Sequence, residues 1–217
     1  MRITSIKYLF LLMMSAFLLA SCSETEDESG AEFDNWQAKN EQAFLDTLAY
    51  ARQHEGSGEW KVIRNWSLQN QTPNEDGNGN PLTPVYDDTD NLVVRVIEAG
   101  TGSGLPMFTD SVRVSYCGRI LPSSSYPEGY VFDTTFNTPY DKKTALTANM
   151  LISQLTDGFA TAMLNMHIGD HWMLYVPHQL GYGAQDQTSS GIPAYSMLRF
   201  EVVLDAYYRP TVGWITK

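Results

Sequence analysis

The 217 residues carry 14 basic and 25 acidic side chains, a net charge of −11, and 43% of them are hydrophobic. That balance supplies enough apolar mass for a folded core and no cationic footprint for a phosphate backbone, which argues against nucleic acid as a partner. Four histidines and two cysteines form no cluster that would suggest a metal site, and neither a nucleophile elbow nor a hydrolytic triad is present.

In chain order, Arg2 and Lys7 come first, with an almost unbroken apolar run over residues 8–20. A bilayer span needs about 20 apolar residues, so this shorter run reads as a secretory signal covering residues 1–21. Leu19-Ala20-Ser21-Cys22 resembles a bacterial lipobox, which makes Cys22 the expected lipidation site. Each buried methylene of an acyl chain contributes about 0.8 kcal/mol, so several chains together hold a protein on a membrane without a helix. Residues 22–31 are polar and acidic and read as a disordered tether. Acidity directly behind the cysteine also resembles the export signal of Bacteroidetes lipoproteins, and a plain solvated spacer is the alternative. The expected location is the cell envelope, lipid-anchored to the outer membrane on its periplasmic or cell-surface face. With Cys22 acylated, Cys117 has no disulfide partner and reads as a small buried hydrophobe in a strand.

Phe33, Trp36, Phe44, Leu48 and Ala51 recur at helical intervals, which predicts an amphipathic helix over residues 32–54, stopped by Gly56 and Gly58. Its apolar stripe is expected to pack on the domain behind it; a partner's copy of the chain is the alternative. Trp60, Val62, Trp66 and Leu68 alternate with polar residues and predict a half-buried strand, with Arg64 anomalous on its apolar face. Residues 71–90, with three prolines, two glycines and many Asn and Asp, read as a long loop. Residues 32–90 thus form an N-terminal helix, strand and linker of no nameable chemistry.

From residue 91 strands dominate, over 92–99, 110–121, 129–134, 171–176 and 197–207, and residues 210–217 form a C-terminal tail. Leu151, Leu155, Phe159, Met163 and Met166 predict the one helix of this region, over 151–166. Strands gathered around one short helix give an α+β fold with the helix on one face of the sheet. Gly100-Thr101-Gly102-Ser103-Gly104 invites a phosphate-loop reading, but no helix follows to supply the amides such a loop needs. His167 and His171 straddle a Gly169-Asp170 turn, so their imidazoles are not expected to converge on a metal.

A family resemblance rests on five ordered segments. Val112-Arg113-Val114-Ser115-Tyr116-Cys117-Gly118 is followed by Phe132-Asp133-Thr134-Thr135, then by Leu155-Thr156-Asp157-Gly158-Phe159 with Met166-His167-Ile168-Gly169-Asp170. Pro177-His178-Gln179-Leu180-Gly181-Tyr182-Gly183 comes next, and Ile192-Pro193 with Leu198-Arg199-Phe200-Glu201-Val202 closes the set. In this order they resemble the FKBP-type peptidyl-prolyl isomerase domain, over residues 91–209. The resemblance implies an FKBP-like antiparallel sheet wrapped around one short helix, here preceded by the N-terminal helix.

It also implies a pocket. Tyr182, Asp133 and Phe159 take the catalytic positions: Phe159 is the floor under a proline ring, Tyr182 donates its hydroxyl to a substrate carbonyl, and Asp133 fixes polar groups at the edge. Tyr116, Phe132, Leu155, Thr156, Ile192 and Phe200 bind substrate, with the Ile192 amide as a second donor. Where the family usually has Trp this chain has Phe159, and Thr156 stands at a position usually aliphatic. Residues 135–150 make a longer connection than usual, in which Tyr140 and Leu146 are both candidates for a further pocket residue. Residues 180–192 are too few to hold an inserted chaperone domain. The implied partners are proline-containing unfolded or exported polypeptides and macrolides of the tacrolimus type, and no cofactor is implied. Two other readings stand beside the isomerase. One is a non-catalytic FKBP-fold binding module; the other is a glycan- or nutrient-binding lipoprotein using Trp36, Trp60 and Trp66 as platforms.

Overall fold

The computed structural model describes residues 32–69, 71, 75–80 and 82–216. The expected signal, Cys22 and the acidic tether lie outside the described residues. From Asn35 onward the chain is one unit. In chain order its elements are α1 (Trp36–His54), β1 (Trp60–Arg64), β2 (Asn91–Glu98), β3 (Ser111–Arg119), β4 (Val131–Thr134) and β5 (Ala148–Leu151). After these come α2 (Asp157–Met163), β6 (His171–Val176), β7 (Leu198–Arg209) and β8 (Gly213–Ile215). The strands form one antiparallel sheet in the order β1-β2-β6-β7-β3-β4, with β5 also on β3 and β8 on β7. This is the α+β architecture expected.

Each face of the sheet carries a helix, and the sequence shows why. In β2, Leu92, Val93 and Val94 are all buried, a continuous apolar run instead of an alternation. A strand buried on both faces produces such a run. One face is covered by α1, whose Phe44, Leu48 and Ala51 pack on Val93, Met197, Val62, Trp60 and Tyr175. Neighbouring residues point the other way: Gly158 of α2 lies so close to Val176 that a Cβ there would run into its side chain. Small residues at Gly158, Ala160 and Ala162 let α2 sit deep in the concave face, where every residue from Gly158 to Met163 is buried. The N-terminal helix therefore packs on its own domain.

Four expectations need correction. The helix begins at Trp36, not at residue 32, because Asn35 takes a left-handed conformation at its cap (φ 52°). The strand from Trp60 ends at Arg64: Asn65 N bonds Asp90 O at 2.8 Å, and Trp66–Leu68 becomes a 3-10 turn. Arg64 is exposed, and its guanidinium lies 3.7 Å from the centre of the Tyr86 ring, which resolves its place on the apolar side. The helix expected over 151–166 is only Asp157–Met163; Leu151 and Leu155 have extended backbones, and residues 148–151 pair with β3 instead. Part of the expected C-terminal tail is β8, paired with the end of β7.

The glycine-rich connection after β2 leads into a strand, β3, and is a close-approach site. A Cβ on Gly100 would collide with the backbone of Ile168, Gly169 and Asp170. Gly100 N instead donates to Asp170 Oδ1 at 2.7 Å. His171 and His167 do not converge on a common centre: His171 Nε2 lies 2.9 Å from Glu201, and His167 Nδ1 lies 3.8 Å from Asp170. Cys117 is a free, buried thiol.

Candidate active site

The concave sheet and α2 leave a cavity of about 180 Å³, lined by Tyr116, Phe132, Asp133, Met150, Gln154, Leu155, Thr156, Phe159, Tyr182 and Phe200. Its apolar part is a set of edge-to-face rings. Phe159 and Phe200 lie 4.9 Å apart at 78°, Phe132 and Phe200 5.5 Å apart at 88°, and Tyr116 and Phe159 6.2 Å apart at 77°. Such pairs place the positive edge of one ring on the negative face of the next and fix the cup's shape. Phe159 is supplied by the first turn of α2, Phe200 by β7, Phe132 by β4 and Tyr116 by β3, so four elements converge. Gly118 lies beneath: the absence of a side chain in β3 lets Phe132 and Phe200 close over the strand.

The polar part is compact. Tyr116 donates its hydroxyl to Asp133 Oδ2 in a short hydrogen bond. Burial, followed by that bond and the carboxylate's charge, pushes the Tyr116 phenol above its usual range. Burial, then the charge of Asp133, raises Tyr182 also. Both phenols therefore remain protonated donors at neutral pH. Tyr182 is 40% exposed, and among the described residues its hydroxyl takes part in no hydrogen bond, so it is free to donate to a ligand. The arrangement is a desolvated cup with a hydroxyl donor at its rim and an oriented carboxylate at its edge.

Residues 103–205 match the family model described as FKBP-type peptidyl-prolyl cis-trans isomerase. The chain carries an FKBP-type domain. Over 115 residues it is 35% identical to the Macrophage infectivity potentiator of Trypanosoma cruzi, covering 52% of this chain and 51% of that protein. Over 113 residues it is 34% identical to the FKBP-type 22 kDa peptidyl-prolyl cis-trans isomerase of Escherichia coli (strain K12), covering 52% and 48%. The Outer membrane protein MIP of Legionella longbeachae is 34% identical over 92 residues, covering 42% and 34%. The chain thus spans about half the length of the first two relatives and a third of the last.

Within the FKBP-type domain, Tyr116, Phe132, Asp133, Leu155, Thr156, Phe159, Tyr182 and Phe200 come together at one cavity. Ile192 does not reach it. Its side chain is buried, and its amide, expected as a donor to substrate, bonds Gln187 O at 3.2 Å. Closure of its own loop has taken that donor. Neither candidate in the long connection reaches the cavity: Tyr140 packs on Phe136 and His171, and Leu146 is 72% exposed. Met150 and Gln154 do line it, and sequence reading missed both. No sequence pattern marks Met150 or Gln154; Met150 comes to the cavity through the pairing of residues 148–151 with β3.

The three tryptophans considered as glycan platforms are engaged within the fold. Trp36 is buried with its indole N–H on Ser196; Trp60 packs against Tyr50 and Tyr175; Trp66 stacks on Phe108 at 4.2 Å.

Proposed function

We propose that this chain is a peptidyl-prolyl cis-trans isomerase that assists folding of exported, proline-containing polypeptides at the cell envelope. The observation that carries the reading is the aromatic cup over Phe159, with the Tyr182 hydroxyl unclaimed at its rim, inside an FKBP-type domain.

The chemistry follows from the peptide bond. Rotation about it meets a barrier of about 18–20 kcal/mol, because resonance is lost as the amide twists. For X–Pro bonds the uncatalysed change takes roughly tens to hundreds of seconds. A planar amide has more charge separation than a twisted one, so an apolar site that excludes water favours the twisted form. Phe159, Phe132, Leu155 and Phe200 receive the proline ring and hold water off. Tyr182 donates to the carbonyl that reorients, and Asp133, oriented by Tyr116, holds polar groups at the edge. Acyl chains on Cys22, behind a removed signal of residues 1–21, would keep the enzyme at the outer membrane, with residues 22–31 as the tether. Tacrolimus-type macrolides would occupy the same cup.

The test is cis/trans relaxation of Leu-Pro and Phe-Pro peptides with and without tacrolimus. Acceleration that tacrolimus abolishes is expected, and Tyr182→Phe or Phe159→Leu should weaken tacrolimus binding. No acceleration even at high protein concentration would defeat the enzyme reading. Tight tacrolimus binding without acceleration would favour the non-catalytic module, for which the departures at Thr156 and Phe159 speak. Labelled palmitate should enter the wild-type chain in cells and be lost in Cys22→Ser; equal labelling would remove the anchor.

A further inference from the structure

The family match begins at residue 103, so α1 lies outside it, yet the helix is built onto the segment that carries Tyr182. Between β6 and β7 that segment closes on itself. Gly183 N donates to His178 O at 2.8 Å, Tyr195 N to Gly183 O at 2.8 Å, and Gln187 and Ile192 exchange backbone bonds at 2.8 and 3.2 Å. Tyr195 sits at φ 61°, a conformation that a tyrosine keeps only when its surroundings impose it.

The base of this loop is held by α1. Trp36 Nε1 donates to Ser196 Oγ at 2.8 Å, and Ser196 Oγ donates to Pro193 O at 2.7 Å. Met197 N donates to Asn40 Oδ1 at 2.8 Å, while Asn40 Nδ2 donates to Trp36 O at 2.7 Å and so fixes the amide's orientation. Trp36, Asn40, Ser196 and Met197 are all buried. Beside them, Glu41 Oε1 lies 3.4 Å from His178 Nε2, and the His178 ring meets Tyr195 edge-on at 5.2 Å. A helix that only covered an apolar face would need no buried amide at position 40, since a buried polar group without a partner is costly. Here the buried amide and indole make directional bonds to Met197 and Ser196, and the Ser196 hydroxyl carries the hold on to Pro193. Directional bonds specify one loop conformation, which apolar packing alone does not.

We infer that α1 is a positioning element of the isomerase site, with Asn40 and Trp36 as positioning residues that hold the loop presenting Tyr182. This rests on the isomerase reading above. Small displacements of a group that must meet a substrate atom cost rate far out of proportion to stability.

The test uses the full chain with Asn40→Ala, the milder Trp36→Phe, and Val62→Ala beneath the other end of α1, where it touches no loop residue by hydrogen bond. Peptide relaxation is measured well below each unfolding midpoint, together with amide hydrogen exchange and tacrolimus affinity. Asn40→Ala should lower kcat/KM about tenfold and speed exchange at Gly183 and Tyr195 by a similar factor, leaving the Leu174 and Val202 amides protected. Trp36→Phe should do the same more weakly, and Val62→Ala should lower the unfolding midpoint while changing neither readout. Unchanged loop exchange and kcat/KM in both α1 variants, or an equal loss in Val62→Ala, would overturn the inference. Should the wild-type chain accelerate no isomerisation, the functional reading fails by itself; exchange and tacrolimus affinity then decide separately whether α1 holds the loop.

Discussion

Replacing Gly118 by alanine tests the packing of the cup without removing any side chain that lines it. Its backbone is not in the left-handed region, so an alanine fits the strand itself. The new Cβ would lie 2.5 and 2.6 Å from Cζ and Cε2 of Phe132 and 2.9 Å from Cε1 of Phe200. Carbon atoms in contact settle near 3.5–4.0 Å, so Phe132 must withdraw by about 1 Å and Phe200 by about half that. Phe200 is confined by Phe159 at 4.9 Å, so most of the strain moves Phe132, which is only half-buried. Overpacking of this kind costs about 1–3 kcal/mol. Loss of glycine freedom in the unfolded chain returns at most about 1 kcal/mol, so at the middle of that range the net loss is about 1 kcal/mol. Because Phe132 lines the cavity, tacrolimus affinity should fall about tenfold, which corresponds to about 1.4 kcal/mol. Urea unfolding and titration calorimetry measure the two quantities. A variant as stable as wild type, with unchanged tacrolimus affinity, would refute the closure of these rings over Gly118.

Two further expectations concern stability. The Tyr116 phenol is raised above its ordinary value of 10.0, chiefly by burial, so its contribution is complete below about pH 10 and is lost as pH climbs through the folded value. The stability difference between wild type and Tyr116→Phe should therefore stay constant from pH 7 to about 10 and shrink above it, by at most about 1.4 kcal/mol per pH unit; urea midpoints across that range check it, and a difference growing with pH would contradict it. Asp170 is buried and accepts from Gly100 N and His167 N, each at 2.7 Å, so Asp170→Ala should destabilise by about 3 kcal/mol through two stranded amides. A loss under about 1 kcal/mol in urea unfolding would mean that those amides find other partners.

The site was legible in the sequence where residue type and chain order carry it. Tyr116, Phe132, Asp133, Leu155, Phe159, Tyr182 and Phe200 arrive in one order, and the structure brings them to one cavity. It was illegible where position depends on a long-range pairing. Met150 reaches the cavity only because residues 148–151 pair with β3, opposite Ser111 to Val114. The apolar spacing from Leu151 to Met166 suggested one long helix. A short helix inside a curved sheet buries any side chain that points inward, whether its backbone is strand, 3-10 turn or helix, so period alone does not locate the helix start. Ile192 failed for the opposite reason: a contact five residues away, with Gln187, claimed its amide.

The sequence by itself determined that α1 has one apolar stripe and that the following strands have an inside. Hydrophobic burial is non-directional, so the stripe at Phe44, Leu48 and Ala51 required cover without naming its partner. The tertiary structure decided that this cover is Val93 and Met197, and it alone set Asn40 under the amide of Met197, 157 positions away. A hydrogen bond is directional and short, so a pairing between residues that distant exists only after the sheet has brought α1 and the Tyr182 loop together.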